Sequence, residues 1–428
     1  MDSAQLLWMR IENAVVGPVS DGVRYNMRTE LSSQVAYGVL TAVVGFLPLV
    51  LVRLGSSAAM LAILTASSYL GNILASFCLF LTRPGRAKRV VAASWIVSRL
   101  MFAAMALVSR DITLLILAAL FWLGDQLPLP AYGAIIQSIY PAADRGKVLA
   151  MVRLGTTLPI LILTPLAGWL LDHAGYRLVF LLAGAAGLLG VALFWRLRVD
   201  EAALPVRCTR SLGYAGEILR GDPRFTLYMV GLTVYGLSAL IPYPLYPLVQ
   251  ANRLRLSYED LGWLNLVYGL IRVAFYFFWG RRIDRWGPVR CLQLSFAVSV
   301  MTILPYVWAG SGWMLVPSFV AYGISMSAID LGFISAAIHL ADPQRVSEYT
   351  ALNYTVIGAR GMVGPFVGVA LLALGMPLTW ILLLAAALGL ASAGILGAVD
   401  RQARALGRAD FEPLRQRAEE VSLEHPAQ

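Results

Sequence analysis

Six ionisable residues stand within long apolar stretches of this 428-residue chain. Two are acidic and four are basic: Asp125, Asp330, Arg99, Arg153, Arg272 and Arg360. A carboxylate that exchanges an arginine partner can bind and release a proton, and an arginine holds a carboxylate or phosphate through paired hydrogen bonds. We therefore interpret the six as candidates for proton coupling or for lining a central cavity.

The two acids permit different interpretations. Asp330 is either a proton carrier or one half of a fixed Asp–Arg bridge that holds helices together, whereas the fixed bridge is the favoured role of Asp125. The excess of arginines over acids favours a ligand with negative charge. The alternative is that some of these arginines reach the membrane interface or backbone carbonyls.

Composition indicates the medium that surrounds these charges. Hydrophobic residues make up 59% of the chain, charged residues 14%, and the mean hydropathy is +0.71. Soluble domains have about 45–50% apolar and about 25% charged residues. We therefore expect a polytopic membrane protein. Twelve membrane-spanning helices take roughly 240 residues, which leaves no room for a sizeable soluble catalytic domain.

Apolar runs between charges and turn residues predict twelve spanning segments. They are 31–52, 56–81, 90–109, 112–140, 146–171, 177–197, 223–249, 257–280, 290–309, 312–340, 346–374 and 376–399. The predicted organisation is an N-terminal segment (1–30), a six-helix bundle (31–197), a linker (198–222), a second six-helix bundle (223–400) and a tail (401–428).

The positions of the basic residues predict the orientation. If the N-terminus is cytoplasmic, most of the 34 lysines and arginines fall in inside loops, the linker and the termini. This positive-inside pattern predicts a multi-pass protein of the inner (plasma) membrane with both termini in the cytoplasm. The net charge of +10 therefore reflects topology and contact with anionic lipid, and no nucleic-acid partner is expected.

The two halves of the sequence resemble each other. Arg145 and Arg345 lie 200 positions apart, and Gly168 and Gly368 share this offset. Two six-helix halves related by an internal repeat are a known transporter architecture, in which one half rocks against the other around a midplane site.

One loop carries a family signature. Between the eighth and ninth segments, the chain reads Gly280, three residues, Asp284, Arg285, one residue, Gly287 and then Arg290. This pattern resembles the loop signature of the major facilitator superfamily. In the first half, Thr82 occupies the position of the aspartate. A glycine- and proline-containing stretch at 361–368 resembles the antiporter motif of this family, and close helix packing is its alternative interpretation.

The resemblance implies an all-α fold of twelve transmembrane helices, arranged as two pseudo-symmetric six-helix bundles. It also implies that the first, fourth, seventh and tenth helices line a central cavity and that the loop signature takes part in gating. The polar residues that this arrangement makes cavity candidates are Gln34, Tyr37, Gln126, Tyr132, Tyr235, Tyr322 and Ser327.

The expected function is secondary transport of a small, anionic or amphipathic solute by alternating access, coupled to protons or to another ion. We expect no enzyme activity, cofactor or metal site, because no catalytic constellation, phosphate loop or metal-ligand cluster stands out. A monomer in the lipid bilayer is expected. The alternative is a non-transporting or lipid-handling membrane protein with the same fold, and efflux and nutrient uptake both stay open.

Overall fold

The computed structural model describes residues 16–17, 19–81, 86–141, 144–200, 213–342 and 345–424. Parts of four predicted regions lie outside the described residues: the first half of the N-terminal segment (1–15), the first-half loop with Thr82 (82–85), much of the linker (201–212) and the end of the tail (425–428).

The described chain is helical throughout its spanning segments. Ten stretches are long and apolar enough to cross a bilayer. One of them, Arg145–Phe194, comprises two spans that meet at Gly175, where φ is +75°, and the helix Ala58–Leu81 supplies a further span. The predicted all-α fold of two six-helix bundles is thus confirmed.

The helices in chain order are α1 (Asp21–Val44, continued by Leu47–Arg53), α2 (Ala58–Leu81), α3 (Ala87–Ala104), α4 (Asp111–Gln126, continued by Leu129–Ile139), α5 and α6 (Arg145–Phe194, divided at Gly175), α7 (Pro223–Leu240), α8 (Tyr258–Trp286), α9 (Pro288–Ile303), α10 (Val316–Leu340), α11 (Val346–Ala373) and α12 (Leu378–Glu424). Between the halves, the linker contains a short helix, Gly213–Gly221.

Helix α1 begins ten residues before its predicted start. The Ser20 hydroxyl accepts a hydrogen bond from the Val23 N–H (3.4 Å), and Asp21 lies in the first turn, where negative charge is favourable. The Asn26 side chain then exchanges two 2.9 Å hydrogen bonds with the backbone of Arg198. Residues 21–30, predicted to belong to a separate N-terminal segment, are therefore part of the first bundle.

The chain after α7 is irregular because it is rich in proline. It continues as a 3₁₀ turn (Tyr243–Leu245), one short α-helical piece (Tyr246–Leu248) and a π-helical turn (Val249–Arg253). Proline has no N–H to donate, so the regular hydrogen-bond ladder cannot be maintained here.

The two halves contact each other closely at one end of the molecule, which we call the Arg53 end. Asp172, in the last turns of α5, accepts a 2.8 Å hydrogen bond from the N–H of Glu259 at the start of α8. Arg53 donates to Asp172 (3.4 Å) and, across the interface, to the Leu256 carbonyl (2.7 Å). Its guanidinium carbon lies 3.7 Å from the centre of the Tyr258 ring.

Glycine residues also let the two halves approach closely, at the Arg53 end and further along the interface. A Cβ placed on Gly168 of α5 would lie 2.4 Å from the Tyr258 carbonyl oxygen, and a Cβ on Gly361 of α11 would lie 2.2 Å from the Tyr69 ring of α2. Both contacts join one half to the other. Helix pairs in membranes commonly approach through such small residues.

We predict that Gly168→Ala separates the halves at the Arg53 end. Overpacking costs about 1–3 kcal/mol, equivalent to roughly 5–150-fold in a conformational equilibrium. In a cysteine-free background, spin labels at His173 and Asn252 should show a larger population at long distance. Gly394→Ala is the matched control, because a Cβ there meets nothing within 4 Å. An unchanged distance distribution in Gly168→Ala would contradict the interpretation.

Candidate functional site

A cavity of about 770 Å³ lies between the two bundles. Helices of both halves line it, including α1, α2, α7, α8, α10 and α11. Tyrosines dominate its polar wall: Tyr69, Tyr235, Tyr243, Tyr246, Tyr306, Tyr322 and Tyr354. Amide side chains of Gln250, Asn265 and Asn353 add further donors and acceptors. Two charged residues of the predicted set, Asp330 and Arg360, reach this wall.

Asp330 forms an ion pair with Arg272. The Asp330 Oδ2 atom accepts from Arg272 Nη2 (2.5 Å), from Arg272 Nε (2.9 Å) and from the Tyr276 hydroxyl (2.6 Å). The Arg272 Nη1 atom donates to the Tyr268 hydroxyl (2.9 Å), whose ring stacks on Tyr322. The Arg272 and Asp330 side chains are 35% and 34% exposed, and Asp330 lies in the cavity wall.

Arg360 has a different environment. It is 8% exposed and donates to the Leu232 carbonyl of α7. Its guanidinium carbon lies 6.0 Å from the centre of the Tyr235 ring and 5.5 Å from that of the Phe333 ring. Its stem passes Gly236 so closely that any Cβ there would collide with it. Within the described chain, no carboxylate oxygen lies within 4.0 Å of its guanidinium. Arg360 is therefore a cavity cation without an acidic partner among these residues.

Asp125 and Arg99 form a buried bridge inside the first bundle. Arg99 of α3 donates to Asp125 of α4 over 2.5 Å, and the two side chains are 4% and 5% exposed. Tyr37 and Gln126 donate to the other carboxylate oxygen over 3.3 and 3.1 Å. The geometry is that of a fixed bridge within a single half.

The remaining predicted residues lie in several surroundings. Tyr235 and Tyr322 line the cavity, and their role in binding a substrate stays a prediction. Gln34 accepts from Thr156 (2.8 Å), Ser327 donates to the Ile324 carbonyl (2.8 Å), and Tyr132 donates to Glu30. Arg153 is exposed on α5. Among the described residues, Gln34, Tyr37, Gln126, Tyr132 and Ser327 lie outside the wall of the 770 Å³ cavity, and their substrate role stays a prediction.

The structure adds site residues that sequence reasoning missed. Tyr268 and Tyr276 lie four residues before and after Arg272, a spacing that places all three on one face of α8 and could have revealed them. Tyr243 and Tyr246 lie in the proline-rich segment, where helical periodicity does not predict which side chains face the cavity.

The loop signature forms a tight turn between α8 and α9. Helix α8 ends at Trp286, and Gly287, with φ of +84°, connects it to α9. Arg282 and Arg290 both lie against the Trp286 ring, at 4.4 and 5.5 Å from its centre. The gating role of Gly280, Asp284, Arg285, Gly287 and Arg290 stays a prediction.

Comparison with known sequences agrees with this architecture. Residues 31–242 and 228–420 each match the family model described as Major Facilitator Superfamily. The "Probable galactarate/D-glucarate transporter GudP" of Bacillus subtilis (strain 168) is 30% identical over 120 residues, which is 27% of this chain and 26% of that protein. An uncharacterized MFS-type transporter of Pseudomonas aeruginosa (strain UCBPP-PA14) is 38% identical over 76 residues, 18% of this chain and 19% of that protein. The chain thus aligns with only about a quarter or less of each relative.

Solved structures share the fold. A variant of the nucleoside transporter NupG superposes with a TM-score of 0.69 at 12% identity, covering 88% of this chain and 99% of that one. A variant of the peptide transporter POT gives 0.66 at 16% identity, covering 94% and 99%. A bacterial homolog of the human lysosomal transporter Spinster, in an inward-facing conformation, gives 0.64 at 14% identity, covering 90% and 98%. These similarities establish a multi-pass transporter fold.

We predict that Asp125→Asn destabilises the protein strongly. Removing one member of a buried ion pair leaves the other charge uncompensated, which costs about 3–5 kcal/mol. Chemical unfolding in detergent would measure the loss. Asp330→Asn is the comparison, because its pair is about one third exposed and a loss of at most about 1 kcal/mol is expected.

A double variant tests the same explanation. Arg99→Met combined with Asp125→Leu removes both charges together and should recover much of the lost stability. A double variant as unstable as Asp125→Asn, or a single variant as stable as the wild type, would refute the structural role.

Proposed function

The chain belongs to the major facilitator superfamily, and on that basis we propose that it is a secondary transporter that moves a small organic anion by alternating access, with proton coupling at Asp330. The observation that carries this proposal is the charge arrangement of the cavity. Arg360 lies in its wall without an acidic partner among the described residues, whereas the pair of Arg272 and Asp330 is accessible beside it.

An organic anion would compensate Arg360. A desolvated cation is stabilised by an opposite charge, and guanidinium binds carboxylate with two parallel hydrogen bonds. The tyrosine hydroxyls and amides around it can accept from and donate to hydroxyl groups of a substrate. GudP is named a probable transporter of galactarate and D-glucarate, which are hydroxylated dicarboxylates. A hydroxylated carboxylate is therefore the substrate class that we favour.

Proton coupling would use the accessible carboxylate. Arg272 and Tyr276 donate all their hydrogen bonds with Asp330 to its Oδ2 atom, so a proton would bind at Oδ1. A neutral Asp330 would hold Arg272 less strongly and would leave its positive charge available to the substrate. Proton and anion binding would then favour each other.

Alternating access would come from rocking of the two bundles. At the Arg53 end, a hydrogen bond and the Gly168 contact join α5 to α8 across the interface, and the Gly361 contact joins α2 to α11 further along it. We assign this end to the non-cytoplasmic side of the membrane, because the positive-inside pattern of the sequence assigns the loops around Arg285 and Arg345 to the cytoplasm. The structure would then represent the state that is closed toward the outside.

We predict that Arg360→Gln raises the KM for organic acids. Loss of a charge-assisted hydrogen bond costs about 1.5–3 kcal/mol, equivalent to roughly 10–150-fold. Uptake of labelled sugar acids into proteoliposomes, across a panel that includes neutral sugars, would measure it. Arg281→Gln, at the exposed end of α8, is the control for loss of one arginine. Equal uptake of neutral and anionic analogues by the wild type would reject an anionic substrate.

We also predict that Asp330→Asn separates substrate movement from proton movement. Substrate-driven change of internal pH should disappear, because the amide cannot carry the proton, while exchange of labelled for unlabelled substrate should continue. A pH-sensitive dye trapped in proteoliposomes would report the first process. Asp144→Asn, at the start of α5, is the matched control. A substrate-driven pH change that persists in Asp330→Asn would exclude this residue as the coupling site.

A further inference from the structure

A second buried carboxyl lies in the first bundle, away from the pair of Arg272 and Asp330. Glu30 of α1 is 1% exposed. The hydroxyl of Tyr140 donates to its Oε2 atom (2.5 Å), and the hydroxyl of Tyr132 donates to Oε1. Both tyrosines come from the end of α4, so the cluster ties α1 to α4.

The described residues around Glu30 provide no counter-charge in contact with its carboxylate. Within the described residues, no lysine, arginine or histidine nitrogen lies within 4.0 Å of its carboxylate. From α5, Arg145 binds the Tyr140 carbonyl (3.1 Å), and Arg153 interacts electrostatically with Tyr132. On α1 itself, Arg28 lines a separate surface cleft.

The packing around the cluster is apolar. Tyr140 is fully buried in a hydrophobic cluster that includes Met27, Ile136 and Val148. A carboxylate in such surroundings is costly when its donors are neutral hydroxyls alone, and a bound proton removes that cost. Unlike Asp125, which has Arg99, Glu30 can therefore lower its energy by taking up a proton.

We propose that Glu30, with Tyr132 and Tyr140, forms a proton-binding site in the N-terminal bundle. A proton from water binds one carboxylate oxygen, and the resulting O–H donates to a tyrosine oxygen. That tyrosine then turns its own hydrogen to another acceptor. Gln34 lies beside Tyr132, and its Oε1 atom, which accepts from Thr156 of α5, has a second lone pair that can take this hydrogen. Release reverses these steps, and no covalent bond other than O–H changes.

The consequence for transport rests on the proposed function. Helix α1 also contributes Thr41 and Val44 to the cavity wall, so a change in the contact between α1 and α4 reaches the substrate site. One protonatable carboxyl would then lie in each bundle, Glu30 in the first and Asp330 in the second. Transport should consequently show two separable dependences on pH.

The test is infrared difference spectroscopy of the full-length protein between acidic and alkaline buffers, without substrate. We expect a protonated-carboxyl band that is lost in Glu30→Gln and retained in Asp330→Asn. A Glu30→Gln spectrum identical to that of the wild type, or a wild-type spectrum without this band, would overturn the proposal.

A second variant covers the case in which Glu30→Gln does not fold. Tyr140→Phe removes one hydroxyl and keeps the ring, so the band should persist at a shifted frequency. A band at the wild-type frequency in Tyr140→Phe would also overturn the proposal. Because no substrate is present, a transport assay that rejects organic anions leaves the infrared result unchanged, and the two proposals fail independently.

Discussion

The structure depends on how charged groups are compensated where water is scarce. An ion inside a bilayer is costly unless an opposite charge or a set of hydrogen bonds replaces its hydration. The described chain uses different solutions. Arg99 has a buried acid within its own half, Arg272 has an acid and two tyrosines at the cavity, and Arg360 has a backbone carbonyl and aromatic rings. Only the last two leave capacity for a ligand at the cavity, because the first is enclosed within its own bundle.

The same constraint explains the contacts between the bundles. Interfaces that must separate cannot contain a bridge that is as buried as that of Arg99 and Asp125, since breaking it would be too costly. The structure instead crosses the interface with hydrogen bonds from Arg53 to the Leu256 carbonyl and from the Glu259 N–H to Asp172, and with glycine contacts. The Arg53 and Asp172 side chains are 35% and 22% exposed. Because these groups are partly exposed, water can replace their hydrogen bonds when the bundles separate, so such an interface can open and close at low cost.

The sequence predicted the helices well and the partners of individual side chains poorly. Apolar runs determine where a chain crosses the bilayer, so ten of the described stretches appear where composition placed them. The first turns of α1 were not predicted, because Asp21 and Asn26 are polar. Two contacts stabilise these turns: Ser20 caps the helix, and Asn26 bonds to the distant backbone of Arg198. The sequence analysis also missed Glu30 as a buried residue, because its tyrosine partners are more than 100 residues away in the chain. Pairing across helices depends on rotation about each helix axis, which hydropathy does not determine.

The arrangement of charges also constrains the direction of coupling in the proposed transporter. With Asp330 ionised, Arg272 is paired with it beside the cavity, and Arg360 in the cavity wall provides one positive charge for the substrate. With Asp330 protonated, both arginines are available, and the attraction for an anion increases. An anion therefore binds more tightly to the protonated cavity, and by linkage it tightens proton binding equally. A carrier with this reciprocity moves the proton and the anion in the same direction, because each stabilises the form that holds the other.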